Sequence, residues 1–314
     1  MNPQVEAALI AGIVSLISLA GTVVVAIIGF RTTRNVTGST LAEQRTRTLN
    51  ERFATAASQL GSDKPSAVQL AGVYAMAGLA DDWEVNRQTC VDVLCAYLRM
   101  PYEPDPGQAA PSRKRLAFQA GREVRHTVIR VIAAHLRKNA AVSWQGLNFD
   151  FTSVVFDGGD FSFTQFSGGR VSFVHAEFPG GEVVLFDGAN FSGGQVDFRG
   201  AEFSGGTVSF LATEFSGGEV EFGGAEFSGG TVNFTSAGFS GSAVSFWHAE
   251  FSGGTVRFGA RFSGGRVGFE LARFTGSIVD FSEARDWSRP PGFPWTNTPP
   301  SGVKLPRIKD QSQA

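Results

Sequence analysis

Phenylalanine recurs at a fixed spacing in the second half of the chain. Between Phe166 and Phe274 a phenylalanine precedes each Ser/Pro/Thr-Gly step, and the interval is twelve positions except for one of thirteen and one of eleven. Units this regular form an internal repeat. Within a unit such as residues 201–210, alanine and phenylalanine lie two apart, as do valine and phenylalanine. That alternation predicts two short strands per unit, joined by a Ser-Gly-Gly turn.

Strands this short are stable only when each unit stacks on its neighbour. Stacking at about 4.8 Å lets backbone hydrogen bonds run along the stack and piles the phenylalanine rings inside. We therefore expect residues 141–284 to form a mainly β structure, a β-solenoid. Burial of each ring contributes about 2–3 kcal/mol. The predicted core stack comprises Phe191, Phe203, Phe215, Phe227, Phe239 and Phe251.

A long apolar segment lies near the amino end. Residues 7–30 contain no charged side chain, and a helix of this length would extend about 36 Å, more than the roughly 30 Å hydrocarbon layer. A cleaved signal peptide would begin with basic residues and have a shorter apolar region, but here Glu6 precedes the segment. We expect residues 1–37 to contain an uncleaved transmembrane helix.

The charges around this segment predict its orientation. Five arginines follow it, at positions 31 to 52, against two glutamates, whereas Glu6 is the only charge before it. Loops rich in arginine and lysine stay in the cytoplasm. We therefore expect a single-pass protein of the cell membrane, with the residues after about 31 in the cytoplasm.

The segment from 38 to 140 has apolar residues at helical spacing, which predicts a small helical neck between the membrane and the repeats. One predicted stripe includes Val73 and Tyr74. The last helix is strongly basic, and its cations either attract an anionic partner or headgroup or form a solvated face. They are Arg113, Lys114, Arg115, Arg122, Arg125, Arg130, Arg137 and Lys138.

Composition and charge separate the same regions. Of 39 glycines and 29 phenylalanines, 28 and 25 lie between residues 146 and 281, which is the composition of a repeat. Residues 1–140, 141–284 and 285–314 carry net charges of +5, −10 and +3 within a total of −2. Like charges on the solenoid either keep it soluble or form a binding face. The predicted outward acidic stripe comprises Glu202, Glu214, Glu226 and Glu250.

The sequence contains no recognisable catalytic or metal-binding pattern. His175 and His248 each precede an inward alanine, which predicts outward positions at a corner, about three coils apart. Serines that follow each phenylalanine are turn residues without a neighbouring base. Cys90 and Cys95 are expected to be buried thiols. We expect neither an enzyme nor a bound cofactor or metal.

The five-position spacing from Phe151 to Val171, with Gly159 and Gly169 each two places before a repeat position, resembles the pentapeptide-repeat proteins. The resemblance implies a right-handed, four-sided β-helix in which four pentads make one coil. From Val171 on, two extra residues lengthen each pair of pentads to a unit of twelve. A coil of two units, twenty-four positions, would keep eight inward residues, and a flattened coil of one unit stays open. Asn50-Glu51-Arg52-Phe53 and residues 94–101 resemble the juxtamembrane region of membrane-anchored members from actinobacteria.

Two functions are compatible with these features. The first is a membrane-tethered module that binds a protein partner through its outward residues, without chemistry and without direct nucleic-acid binding. The second follows from the resemblance: some pentapeptide-repeat proteins resemble duplex DNA and act on type II topoisomerases. The Pro-rich segment 285–314 is expected to cover the last coil with Trp287, Phe293 and Trp295.

Overall fold

The computed structural model describes residues 43–61 and 63–307, so the predicted membrane span at residues 7–30 lies outside the described residues. The chain divides into two units at Ala54 and Thr55. A helix, α1, covers residues 43–59. The other helices are α2 (Ser66–Asp82), a 3-10 turn (Glu84–Asn86), α3 (Arg87–Arg99) and α4 (Ser112–Leu136). Within the described ranges, no helix has both the length and the hydropathy to cross a bilayer.

Helices α2, α3 and α4 form a small packed group. Their shared core contains apolar side chains of all three helices, among them Val73, Leu94 and Val128, each fully buried. The prediction that Tyr74 belongs to the buried stripe is wrong, because its side chain is 58 % exposed. Position 74 directly follows Val73, which rotates it by about 100° around the helix and away from the other helices.

Residues 149–304, which follow the helices, form a parallel β-solenoid of about six turns. Its strands are short, and most have only two or three residues. They are β1 (Phe149–Asp150), β2 (Gly159–Asp160), β3 (Gln165–Ser172), β4 (Glu177–Pro179), β5 (Val184–Leu185), β6 (Asn190–Asp197), β7 (Glu202–Gly205), β8 (Thr207–Ser209), β9 (Glu214–Phe215), β10 (Glu219–Glu221), β11 (Glu226–Phe227), β12 (Thr231–Asn233), β13 (Gly238–Phe239), β14 (Ala243–Ser245), β15 (Glu250–Phe251), β16 (Thr255–Arg257), β17 (Arg261–Phe262), β18 (Arg266–Gly268), β19 (Arg273–Phe274), β20 (Ile278–Asp280) and β21 (Val303–Lys304).

The pairing of these strands gives the coil length. Val220 pairs with Val196 on one side and with Val244 on the other, so the register repeats after two units of twelve. A flattened coil of one unit is therefore excluded. Val244 pairs with Val267, one position short of this register, because the unit between Phe251 and Phe262 lacks one residue. The shorter unit has one residue fewer at a corner, between two strands. The strands before and after that corner therefore keep their pairing with the neighbouring coil.

Four columns of strands surround the core, and we call them sides A to D. Side A contains β9, β13 and β17, and side B contains β1, β10, β14 and β18. The long strands β3 and β6 bend through the corner between these two sides and belong to both. Side C contains β4, β7, β11, β15 and β19, and side D contains β2, β5, β8, β12, β16, β20 and β21.

Each coil turns its apolar residues inward. In the coil from 201 to 222 the eight inward residues are all buried, namely Ala201, Phe203, Val208, Phe210, Thr213, Phe215, Val220 and Phe222. Thr213 stands where other units have alanine, and its Oγ1 donates a hydrogen bond to the carbonyl of Phe186 at 2.7 Å. The hydroxyl is therefore satisfied inside an apolar core.

The buried rings form four parallel stacks, one for each phenylalanine position of the coil. Ring centroids within a stack lie 4.6–5.3 Å apart, for example Phe198 over Phe222 at 4.7 Å. Two of the stacks meet edge to face across the centre, as Phe210 and Phe222 do at 82°. Offset stacks combined with edge contacts are the arrangement that aromatic quadrupoles favour.

Glycine is required where the corners of successive coils touch. Gly206 and Gly230 have φ values of +61° and +63°, a conformation that few other residues adopt. A Cβ on Gly206 would lie 2.7 Å from the Cα of Gly180 on the preceding coil. The Ser-Gly-Gly turn therefore serves both a positive φ and a close approach between backbones.

Both ends of the solenoid are covered. At the first coil, α3 contacts β1 and α4 contacts β2. At the last coil, Phe293 stacks on Phe269 at 5.6 Å, while Trp287 and Trp295 meet rings of the last coil edge-on at 5.2 Å. All three rings of the Pro-rich segment therefore lie against rings of the last coil. Covered ends leave few unpaired strand groups for contact with other chains.

Candidate interaction surface

Four glutamates form one ladder on side C. Glu177 pairs in register with Glu202, Glu202 with Glu226, and Glu226 with Glu250. Neighbouring coils are about 4.8 Å apart, so these carboxylates repel one another. Arg273 follows Glu250 in the ladder and pairs with it at 2.8 Å. Within the described ranges the first three carboxylates form no ion pair, and we call these four glutamates the acidic ladder.

The predicted stripe included Glu214, which does not lie in this ladder. Glu214 is on side A, where it pairs in register with Asn190 and with Gly238. The reason is the coil length: one repeat unit is half a coil, so successive units lie on different sides. Its carboxylate accepts a hydrogen bond from Arg261 at 2.5 Å across Gly238, whose missing side chain leaves room for the contact. The fourth glutamate of the ladder is instead Glu177, which the prediction did not include.

The same half-coil geometry divides the predicted core stack. All six rings are buried, but they belong to two stacks. Phe191, Phe215 and Phe239 form one, at 5.1 and 4.8 Å. The other comprises Phe203, Phe227 and Phe251, at 4.8 and 4.6 Å.

Asp197 on side B has a fully buried side chain with two cationic partners. Arg199 donates to it at 2.6 and 2.8 Å, and Arg170 at 3.3 Å. Burial alone would raise the pKa of Asp197, but the hydrogen bonds and charge of Arg199 outweigh this effect and hold the pKa below its ordinary value. Asp197 is thus a structural carboxylate and is not available to a partner.

The next coil of side B has carboxylates without such partners. Burial raises the pKa of Glu221, and the charges of Glu219 and Asp197 raise it further, although a hydrogen bond with Ser245 opposes them. Within the described part of the chain, neither Glu219 nor Glu221 forms an ion pair. The alternation of the sequence predicts outward positions for both glutamates, on either side of Val220.

The basic residues of α4 include several that fasten the helix to the solenoid. Arg125 is buried and donates to the carbonyls of Leu98 and Val155 at 2.7 and 3.0 Å. Arg122 pairs with Asp157 at 3.0 Å and with Glu182 at 3.1 Å. The predicted alternatives, an anionic partner or a solvated face, therefore do not describe these two arginines.

Asp157 is the centre of the contact between α4 and the first coils. It also accepts a hydrogen bond from Tyr102 at 2.7 Å and lies 3.0 Å from Nε2 of His126. Burial opposes ionisation of Asp157, but hydrogen bonds from His126 and Tyr102 and the charge of Arg122 lower its pKa. Burial and the bond to Asp157 raise the pKa of Tyr102. The group holds two parts of the fold together.

The other predicted chemistry-bearing residues lie apart. His175 and His248 are exposed at corners, with φ values of +53° and +54°, as the outward prediction required. Cys90 and Cys95 are both buried and unpaired. Burial raises the pKa of Cys90 to about 11 and that of Cys95 to about 12. Within residues 43–61 and 63–307, no group of side chains is arranged to hold a metal ion.

Part of the solenoid is similar to a known repeat family. A family described as pentapeptide repeats (9 copies) matches residues 186–238. This segment covers β6 to β12, with the turn that precedes β6 and the first residue of β13. No curated protein and no solved structure matches the chain. Residues 186–238 are therefore similar to pentapeptide repeats, and this part of the solenoid has coils of two twelve-position units.

Proposed function

We propose that the chain is a non-enzymatic interaction module, a β-solenoid whose outward side chains bind a partner protein. The observation that carries this proposal is the contrast between the two faces of each strand. Inward positions repeat the same few residue types in every coil. Outward positions differ from one half-coil to the next, as between Thr207 with Ser209 and Glu219 with Glu221. A constant interior, with sides that differ from one another in their outward residues, is what a scaffold for recognition needs.

The acidic ladder is the surface that we assign to this role. Glu177, Glu202 and Glu226 are exposed and point in the same direction from one flat side. Their mutual repulsion is relieved when a cation lies across them, so the ladder favours a basic partner over an acidic one. A role in solubility alone predicts that these charges are dispensable for binding.

The test is affinity purification of the full-length chain from solubilised membranes of its own host. We expect one protein to be recovered at a stoichiometric level. Substitution of Glu177, Glu202 and Glu226 by glutamine preserves their size and removes the repulsion, and it should reduce recovery at least about tenfold. The matched control is Glu283→Gln, an exposed glutamate outside the ladder. Absence of any stoichiometric partner would refute the module.

We further propose that the apolar segment at residues 7–30 tethers this module to the cell membrane, with the solenoid in the cytoplasm. The length of the segment and the arginines after it support this proposal. The full chain should stay in the membrane pellet after carbonate extraction. Leu19→Arg, which places a charge near the middle of the segment, should release a large part of it, whereas Asn2→Arg should not.

The membrane-anchored subclass and the right-handed winding belong to the same proposal. Parallel strands joined by crossovers within one sheet are right-handed in nearly all proteins, which supports the winding. The second candidate, a mimic of nucleic acid, is less favoured by the charges. Arg261 and Arg273 end the acidic runs on sides A and C. An unchanged supercoiling activity of DNA gyrase with the full chain at micromolar concentration would exclude action on that enzyme.

A further inference from the structure

One large aromatic side chain lies exposed between the two acidic sides. Trp247 follows β14 at the corner between sides B and C, and 54 % of it is exposed. Its backbone N–H donates to Ser245, which fixes the start of the corner. An exposed tryptophan gives up apolar burial in the free protein, and tryptophan is prominent among residues that dominate protein interfaces.

The preceding coil has no side chain at the corner that Trp247 occupies. The equivalent corner on the preceding coil is Gly223-Gly224, and a Cβ on Gly224 would meet no atom within 4 Å. On side B, next to the indole, the outward residues are the small Ala243, Ser245 and Gly268. A cavity of about 410 Å³ lies here, lined by Ala243, Ser245, Trp247, Arg266, Gly268 and Glu270. The floor is the outer face of a flat sheet, which suits an extended peptide segment.

The charges around the cavity favour a cationic occupant. Glu219 and Glu221 precede it on side B, and Glu270 lies beyond it, whereas Arg266 is the one cation in its lining. In the described part of the chain, none of these three carboxylates forms an ion pair. Glu250 of the acidic ladder follows Trp247 closely in the chain, on side C. Glu250 pairs with Arg273, so the carboxylates available near the corner are those of Glu219, Glu221 and Glu270.

The protein itself does not place a cation on this indole. Of the described residues, only Arg125 lies over an aromatic ring, and that ring is Tyr102. The contact that Trp247 makes with His248 is edge to face, at 4.2 Å and 87°. Tryptophan is the ring that attracts cations most strongly, and arginine is the cation most often found over it.

We propose that Trp247 is the anchor of the partner-binding surface, and that the partner contributes an extended segment whose arginine or lysine lies over the indole. Glu221 of side B and Glu270 in the lining of the cavity provide the opposite charge for this cation. This inference rests on the proposed function, since it names the chemistry of the partner. It differs from general attraction to an acidic surface, because removal of one uncharged side chain weakens the binding strongly.

The test uses the full-length chain and a displayed library of random dodecapeptides. The library is selected on the wild-type protein and depleted on Trp247→Ala. We expect the surviving peptides to be enriched in arginine and lysine, and the best of them to bind Trp247→Ala about 30-fold more weakly in fluorescence polarisation. Glu221→Gln should weaken binding about fivefold.

The matched control is Leu271→Ala, which removes an apolar side chain that is 57 % exposed at the same corner of the next coil. It should change the affinity less than twofold. Circular dichroism checks that each variant keeps its fold. Failure of any peptide to enrich, enrichment without basic residues, or equal affinity for Trp247→Ala overturns the proposal. Recovery of the same partner by wild type and Trp247→Ala would refute the anchor but not the module, and absence of a partner would refute the module.

Discussion

Two corner glycines separate the cost of a strained backbone from the cost of contact between coils. Gly224 and Gly230 have nearly equal φ values, +64° and +63°. A Cβ on Gly224 meets nothing within 4 Å, whereas one on Gly230 lies 2.6 Å from the carbonyl carbon of Gly205. Alanine therefore has the same conformational cost at each position, but only Gly230→Ala also pushes two coils apart.

The expected magnitudes differ accordingly. The left-handed conformation costs alanine about 1 kcal/mol, and Ala212 already adopts it at an equivalent corner, with φ +53°. We expect Gly224→Ala to lower the free energy of unfolding by about 1 kcal/mol. Overpacking adds about 1–3 kcal/mol. Gly230→Ala should therefore cost about 3 kcal/mol in total, because the atoms that it meets are backbone and cannot rotate away.

Urea denaturation followed by far-ultraviolet circular dichroism measures both variants against the wild type. Because coils of a solenoid interact mainly with their neighbours, the transition midpoints are compared together with the slopes. Equal midpoints for the two variants would show that contact between coils contributes nothing at Gly230. A larger loss in Gly224→Ala would reverse the reasoning.

Three further predictions concern the core and the titratable groups. Phe222→Ala should lower the free energy of unfolding by about 3–5 kcal/mol in urea denaturation, whereas Phe163→Ala, at a side chain 66 % exposed, should change it by less than about 0.5 kcal/mol. The depressed pKa of Asp197 stabilises the fold above the unfolded pKa near 4, and this contribution is lost as pH falls through the folded pKa; melting temperatures of wild type and Asp197→Asn should therefore converge at low pH. Cys90 and Cys95, with pKa values of about 11 and 12, should resist iodoacetamide at pH 8 until denaturant is added, as intact mass will show; labelling of the native protein would contradict their burial.

The interior of the solenoid follows from the sequence because the same pattern of apolar residues recurs in every unit. The alternation of apolar and polar residues at Val220 and Phe222 recurs along the repeats, and it predicts which side chains point inward without any long-range information. The distribution of units over the sides also requires the coil length. That length emerges only from pairing between strands, which is why Glu214 is separated from the acidic ladder while Glu177 belongs to it.

The contacts between the helices and the solenoid were beyond sequence reasoning. Arg125 looks like the other cations of a basic helix, but its hydrogen-bond partners are main-chain carbonyls of Leu98 and Val155, which lie far from it in the chain on either side. Main-chain carbonyls are present in every residue and leave no pattern in the sequence. The small neighbours of Trp247, such as Gly268 of the next coil, likewise follow only from the coil length, because they lie about twenty positions away in the chain.

Half a coil is also the smallest piece that this chain can gain or lose without disturbing its interior. Both halves present the same series of alanine, phenylalanine, valine and phenylalanine to the core, so deletion of one repeat unit would leave every ring with a partner. The arrangement of outward residues would change, because all later units would lie on the opposite side of the solenoid. Glu226 would then pair with Asn190 instead of Glu202. A deletion or insertion therefore preserves the surface pattern only when it comprises whole coils, whereas the interior of the fold also tolerates half a coil.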